Sequence, residues 1–243
     1  MPLIKLNAID STNSYLRKLS IRKDIEDYTV VVTKNQTNGR GQMGASWHSE
    51  TSKNLTFSVF KELSNIYLEH PFYISIVTSL ALIKALQFVV ITKLSIKWPN
   101  DILAEDKKIC GILIENVIQQ NQLKASIIGV GLNVNQTTFG NLPRASSLKL
   151  ITGMVYNLDE VLHAIIKNLE HYFEVLKAGN LKALKDEYET YLFRKNKPST
   201  FRDAENNIFT GYIKSVSDSG SLQVLLEDGI IKAFDLKEIT LLY

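Results

Sequence analysis

Two rhythms of apolar and polar positions run along the chain. Period-two and β-branched runs predict strands: LIKLN (3–7), TVVVTK (29–34) and NLTFSVF (54–60). Asp10, Ser11, Thr12 and Asn13 are all good helix N-caps and precede an apolar-periodic segment, YLRKLSI, which predicts a helix. Pro71 suits a first helical turn, and a helix is expected from there to about Val90. LSIKW (94–98) reads as a strand broken by Pro99 and resumed by Asp101, Ile102 and Leu103. AEDKK is then a turn, KICGILIENVI (108–118) the return strand of a hairpin, and LKASIIGVGLNVN (123–135) a further strand. Residues 136–156 are irregular, and 158–177 and 180–193 carry the helical period. Near Lys195 to Pro198 the rhythm shortens: NIFTGYIKSV, SLQVLLED and IIKAFDL form three strands separated by Ser-Asp-Ser-Gly and Glu-Asp-Gly turns. The expected class is α+β, a mixed sheet with helices packed on one face over residues 1–194, then a small β-barrel domain over 195–243.

Composition narrows the class without naming a function. A length of 243 residues suits one large domain, or one domain with a small appendage. Hydrophobic residues make up 45% and charged residues 22%, as in ordinary globular proteins. A net charge of +3 is too balanced to suggest a nucleic-acid binder. The single cysteine, Cys110, excludes an internal disulfide. The N-terminal stretch has no basic segment followed by an apolar one, so no signal peptide is read. Tyr73 to Ile91 is interrupted by Ser75, Thr78, Ser79, Lys84 and Gln87 and reads as a buried helix, not a membrane span. A cytoplasmic protein is expected, with no membrane partner.

Four segments could carry chemistry. Asn35 to Glu50 holds Gly39, Gly41 and Gly44, whose main-chain N–H groups could converge on an anion, with Arg40 beside them. It matches neither a Walker A loop nor a dinucleotide fingerprint. Trp47 is unusual there, since an indole in a polar loop leaves apolar area wet unless something covers it. KWPND (97–101) sets Lys97, Asn100 and Asp101 around a proline-fixed turn. In DKKICGILIE (106–115) Lys108 opens a strand whose Gly111 permits close approach, and Gly129 and Gly131 signal the same in GVGLNVN (129–135). His48, His70, His163 and His171 show no metal-site spacing, and Cys110 reads as a small core residue.

The ordered set DSTN, QTNGRGQMGASW, KWPNDIL, KKICGILIE and GVGLNVN resembles biotin protein ligase over about residues 5–135. The C-terminal strands are similar, more weakly, to that family's SH3-like domain. The resemblance implies a class II synthetase-like catalytic fold. It also implies ATP-dependent attachment of biotin to a lysine of a biotin carboxyl carrier protein through biotinyl-5′-AMP, with ATP and Mg²⁺ required. No DNA-binding helix-turn-helix fits before Leu3, so a ligase-only form without DNA binding is implied. Ser11, Thr12 and Gln36 would bind the biotin ureido head, with Asn13 nearby. Gly129 and Gly131 would accommodate the bicyclic ring, and Gly41, Gln42 and Gly111 would complete the biotin wall. Arg40 and Lys108 would be catalytic, contacting the biotin carboxylate and the adjoining phosphate. Trp47 would stack on adenine, Asn100 and Asn133 would lie along the adenylate, and Lys97 would position its turn. Asp101 is a candidate for orienting donors or touching Mg²⁺. Where the family often has GRGRxGR, this chain has Gln42 and Ala45, two fewer cations. A lipoate–protein ligase or octanoyltransferase of the same fold, and a non-catalytic biotin sensor, are the alternatives. Oligomeric state is left open, a homodimer included.

Overall fold

The computed structural model describes residues 1–22, 25–89 and 93–243. Seven strands form one mixed sheet: β1 (Leu3–Ile9), β2 (Thr29–Gln36), β3 (Leu55–Glu62), β4 (Leu94–Lys97), β5 (Asp101–Ala104), β6 (Lys107–Gln119) and β7 (Gln122–Leu132). Their order across the sheet is β1-β2-β3-β7-β6-β5-β4. Only the β1–β2 pair is parallel, because α1 (Thr12–Arg22) carries the chain back between them.

Helices α2 (Phe72–Gln87), α4 (Leu158–Lys177) and α5 (Leu181–Thr190) pack together against the sheet, while α3 (Leu148–Thr152) is a single short turn. Twelve of the residues of α2 are buried, so it is apolar all round and lies inside the core. Buried side chains of α4 recur on one face, from Val161 and Leu162 through Ile165, Ile166 and Leu169 to Phe173 and Leu176. Asn157 caps that helix by accepting from the Asp159 and Glu160 amides at 2.9 and 3.4 Å. Each fully buried Leu or Ile here contributes about 1.5–3 kcal/mol.

Strand alternation sends neighbouring side chains to opposite faces. Val30 and Ile128 join the cluster under α2 and α4, whereas Val31 and Ile127 join a small one under Leu16 of α1. Thus α1 covers the other face of the sheet, a correction to the expectation of helices on one face. It covers only part of that face.

A second sheet is wholly antiparallel: β8 (Pro198–Asp203), β9 (Ile208–Val216), β10 (Leu222–Leu226), β11 (Ile231–Phe234) and β12 (Ile239–Leu242), in the order β11-β10-β9-β8-β12. Three of these strands were expected. PSTFRD and ITLL were not, the first because proline and polar residues mask a strand and the second because it is only four residues long. The helix expected over 180–193 stops at Thr190, and Tyr191 to Phe193 run beside β4, where the Ile96 amide donates to Tyr191 O at 2.7 Å and the Phe193 amide to Ile96 O at 2.8 Å. The helix expected to run to about Val90 ends at Gln87; Val90 itself lies outside the described residues. Among the described residues, no helix is long and apolar enough to cross a membrane.

Candidate functional site

A cavity of about 320 Å³ opens on the sheet face that α1 leaves bare. Its floor follows from three glycines. Gly111 of β6 sits directly opposite Gly131 of β7, and Leu113 sits opposite Gly129. All four residues share the parity of Ile127 and point toward the α1 side. The floor is therefore nearly bare backbone.

One end of the cavity is a neutral hydrogen-bonding group. Ser11 caps α1, and Thr12 and Asn13 form its first turn. Gln36, at the end of β2, accepts from Thr12 N at 2.8 Å and Thr12 Oγ1 at 3.1 Å. Ser58, fully buried on β3, reaches Thr12 Oγ1 at 2.7 Å and Asn13 Oδ1 at 2.5 Å. Ser58 was not singled out in the sequence, although the alternating polar residues Thr56 and Ser58 of NLTFSVF marked a face that needed partners. A side chain at Gly129 would collide with the Asn13 amide. The bare Cα of Gly129 thus makes room for Asn13 while lining the cavity.

Over the floor folds the glycine-rich segment, as a small hairpin. Gly41 N donates to Ala45 O at 2.6 Å, Trp47 N donates to Gly39 O at 2.9 Å, and Arg40 bridges to Ser46. Residues 39–47 are therefore a flap. A Cβ at Gly131 would enter the Trp47 indole, and one at Gly111 would lie 3.2 Å from it. The sheet thus covers part of the indole, which stays half-buried and lines the cavity. Its Nε1 is buried with no hydrogen-bond partner among the described residues.

The opposite end is cationic. Lys108 Nζ lies 2.6 Å from Asp101 Oδ1 and 5.8 Å from the centre of the Trp47 ring. Lys97 is half-buried, and among the described residues it makes no ion pair; its ammonium faces the Tyr243 ring at 4.9 Å. Burial holds the Lys97 pKa below the usual lysine range, with Lys108 and Arg144 pushing the same way and Asp101 opposing them. Arg144 lies over the same tyrosine ring, its Cζ 4.2 Å from the ring centre. Neither Arg144 nor Tyr243 was flagged by the sequence, since both lie far along the chain from KWPND.

Arg40 and Lys108 both line the cavity, each held by its own carboxylate: the Arg40 guanidinium donates to Glu115 Oε2 at 2.9 Å, while Lys108 is paired with Asp101. Asn133 stands outside the cavity wall; it is buried and its amide donates to Ser146 O at 3.0 Å, pinning the segment after Arg144. Asn100 lines the cavity, but its amide donates to Ile112 O at 2.8 Å and braces the KWPND turn against β6. Gly41, Gln42 and Lys97 do line the cavity, as does Asp101. Cys110 is fully buried facing the core, and burial pushes its thiol pKa up, so it is no nucleophile.

Among the described residues no group of three or more potential ligands could hold a metal ion. Among the described residues, Asp101 is the sole acidic residue of the cavity wall. A single carboxylate fits an ion that arrives on substrate phosphates and keeps its waters, not a resident cage.

The cavity wall is completed by Leu222, Ile239 and Leu241 of the second sheet and by Leu236 between β11 and β12. Trp98 fastens that sheet, donating its Nε1–H to Gly220 O at 2.9 Å.

Residues 6–133 match the sequence profile of the biotin/lipoate A/B protein ligase family. In structure the chain is similar to the biotin protein ligase from Aquifex aeolicus in complex with biotin and ATP. The TM-score is 0.83 at 28% identity, covering 99% of this chain and 98% of that one. In sequence it is 27% identical over 237 residues to the bifunctional ligase/repressor BirA of Bacillus spizizenii, covering 96% of this chain and 72% of the relative. It is also 28% identical over 164 residues to the biotin–[acetyl-CoA-carboxylase] ligase of Mycobacterium tuberculosis, covering 66% and 59%.

Proposed function

Since this chain belongs to the biotin/lipoate A/B protein ligase family, we propose that it is a biotin protein ligase. It joins biotin to a lysine of a carboxylase, on the biotin carboxyl carrier domain, using ATP. The observation that carries this reading is the polarity of the cavity. Neutral donors and acceptors, Ser11, Thr12 and Gln36, stand at one end, and Lys108 and Lys97 stand at the other. A ureido head offers two N–H groups and one carbonyl and suits the first end. A carboxylate meeting a triphosphate suits the second.

In the first step a biotin carboxylate oxygen attacks the α-phosphorus of ATP. The bond to the bridging oxygen breaks and pyrophosphate leaves. Two anions must approach, and Lys108 offsets the charge that develops between them. Asp101 holds the Lys108 ammonium in place from 2.6 Å. A magnesium ion carried on the phosphates would be touched by Asp101 and would add charge neutralisation. In the second step a neutral lysine amine of the carrier attacks the acyl carbon and AMP departs. The mixed anhydride has to be kept from water until then, and the flap with Trp47 suits that purpose. We read residues 1–194 as the catalytic unit and 195–243 as a barrel domain that completes the cavity wall.

Incubation with Mg²⁺, ATP, labelled biotin and a biotin carboxyl carrier domain tests this reading. Label is expected on one carrier lysine, dependent on ATP. Pyrophosphate release that is faster with lipoate than with biotin would shift the assignment to a lipoate ligase. Tight biotin binding with no labelling would leave a sensor.

A further inference from the structure

We infer that Glu115 is a positioning residue that ties the head-group end of the cavity to the flap. The identity of its ligand rests on the biotin-ligase reading. Glu115 lies on β6, two residues beyond Leu113 and on the same face, just past the floor of the cavity. Three side chains from two other elements converge on its carboxylate. Asn13 Nδ2 donates to Oε2 at 2.8 Å, Arg40 donates to the same oxygen at 2.9 Å, and Arg17 stands 3.8 Å from Oε1.

Arg40 is the one cation of the flap, and its side chain is 43% exposed against 19% for Glu115. If the guanidinium swung onto a ligand carboxylate, it would leave the less exposed partner with a weakly compensated charge. That cost favours Arg40 as an anchor. The flap's cation thus fastens the hairpin to the sheet, and Gln42, Lys108 and Lys97 remain to face the acyl phosphate.

The same oxygen holds Asn13. The Asn13 amide is fixed on every side: Nδ2 by Leu113 O at 3.2 Å and by Glu115, and Oδ1 by Ser58. A head group seated against Thr12 and Asn13 therefore bears on the atom that anchors the flap. Occupancy of one end and closure of the hairpin are coupled through one carboxylate.

Glu115→Gln keeps an acceptor for Asn13 and removes the charge that Arg40 needs. Arg40→Gln, on an exposed flap residue, removes the other partner without threatening the core. The measurement is escape of preformed labelled biotinyl-adenylate, without carrier, in both single variants and the double. Each single variant is expected to speed escape about two- to fivefold, the scale of a partly exposed ion pair. The double variant is expected to be no faster than the faster single. Escape unchanged in Glu115→Gln, or effects that multiply in the double, would mean that Arg40 acts on the ligand directly and would overturn the inference. Amide exchange at residues 39–47 without any ligand gives a second readout, independent of activity. Exchange is expected to rise in Glu115→Gln, and flap protection equal to wild type would overturn the anchor even if the enzyme makes no adenylate. Absence of adenylate from wild type would sink the proposed activity instead.

Discussion

In the proposed mechanism Lys108 meets charge that exists fully only as the α-phosphate is attacked. Lys108→Ala is therefore expected to raise the adenylation barrier by about 2–4 kcal/mol, the scale for one such donor. Calorimetric biotin affinity should change far less. Affinity that collapses while single-turnover adenylation survives would show a binding role only. Gln42 lines the cavity as a neutral side chain. A charged hydrogen bond contributes about 1.5–3 kcal/mol against about 0.5–1.5 for a neutral one. Gln42→Arg is thus expected to slow escape of biotinyl-adenylate several-fold, and equal or faster release in a chase would show that the wall is already sufficient. Which residues could matter was largely legible from their types: Ser11, Thr12, Asn13 and Gln36 are polar at points where a core or a cap did not require all of them. Their pairing was not legible. Arg40 and Glu115 are 75 positions apart, and nothing local in either segment distinguishes a cation held by the sheet from one offered to a ligand.

The strands and helices of the first 135 residues follow their hydrophobic rhythm closely, because β-branched runs and long apolar periods are the strongest local signals. The glycine-rich segment was readable as a break but not as a hairpin, since its hydrogen bonds are made by backbone and leave no mark in side-chain pattern. Face assignment failed for α1 for a related reason: alternation says that Val30 and Val31 part company, but not which helix each will meet. The bare floor sets a sharp test of this layer. Gly131→Ala would drive a methyl group into the Trp47 indole, an overpacking expected to cost about 1–3 kcal/mol in flap closure. Exchange of the Trp47 amide should rise while Ile127 and Ile128, deeper in β7, stay protected. Unchanged exchange at Trp47 would mean that the indole has another seat.

Across the whole molecule one buried cluster runs without a break from the large sheet into the second, joining Phe57 and Ile112 to Phe201, Ile213 and Val224. The later strands therefore do more than follow the catalytic part, and they contribute wall to the cavity. Their number was underread because PSTFRD carries little apolar pattern and ITLL is only four residues long, and their docking was invisible because it depends on contacts such as Tyr73 to Asp218 at 3.0 Å and Trp98 to Gly220. Trp98→Phe keeps the ring and removes one hydrogen bond. It is expected to cost about 1 kcal/mol and to lower Tm by about 2–4 °C, measured by calorimetry. A Tm equal to wild type would show that Asp218 and the shared core hold the sheet unaided. The two tryptophans of the chain now stand apart in kind. Trp98 is fixed at the seam by its own N–H, and Trp47 rests on bare glycine, its N–H without a partner among the described residues. Trp98 also lines the cavity, so ligand entry bears on both indoles, and Trp98→Phe leaves Trp47 as the single emitter. That variant carries an intrinsic optical reporter, whose emission is expected to follow the flap in real time without any added label.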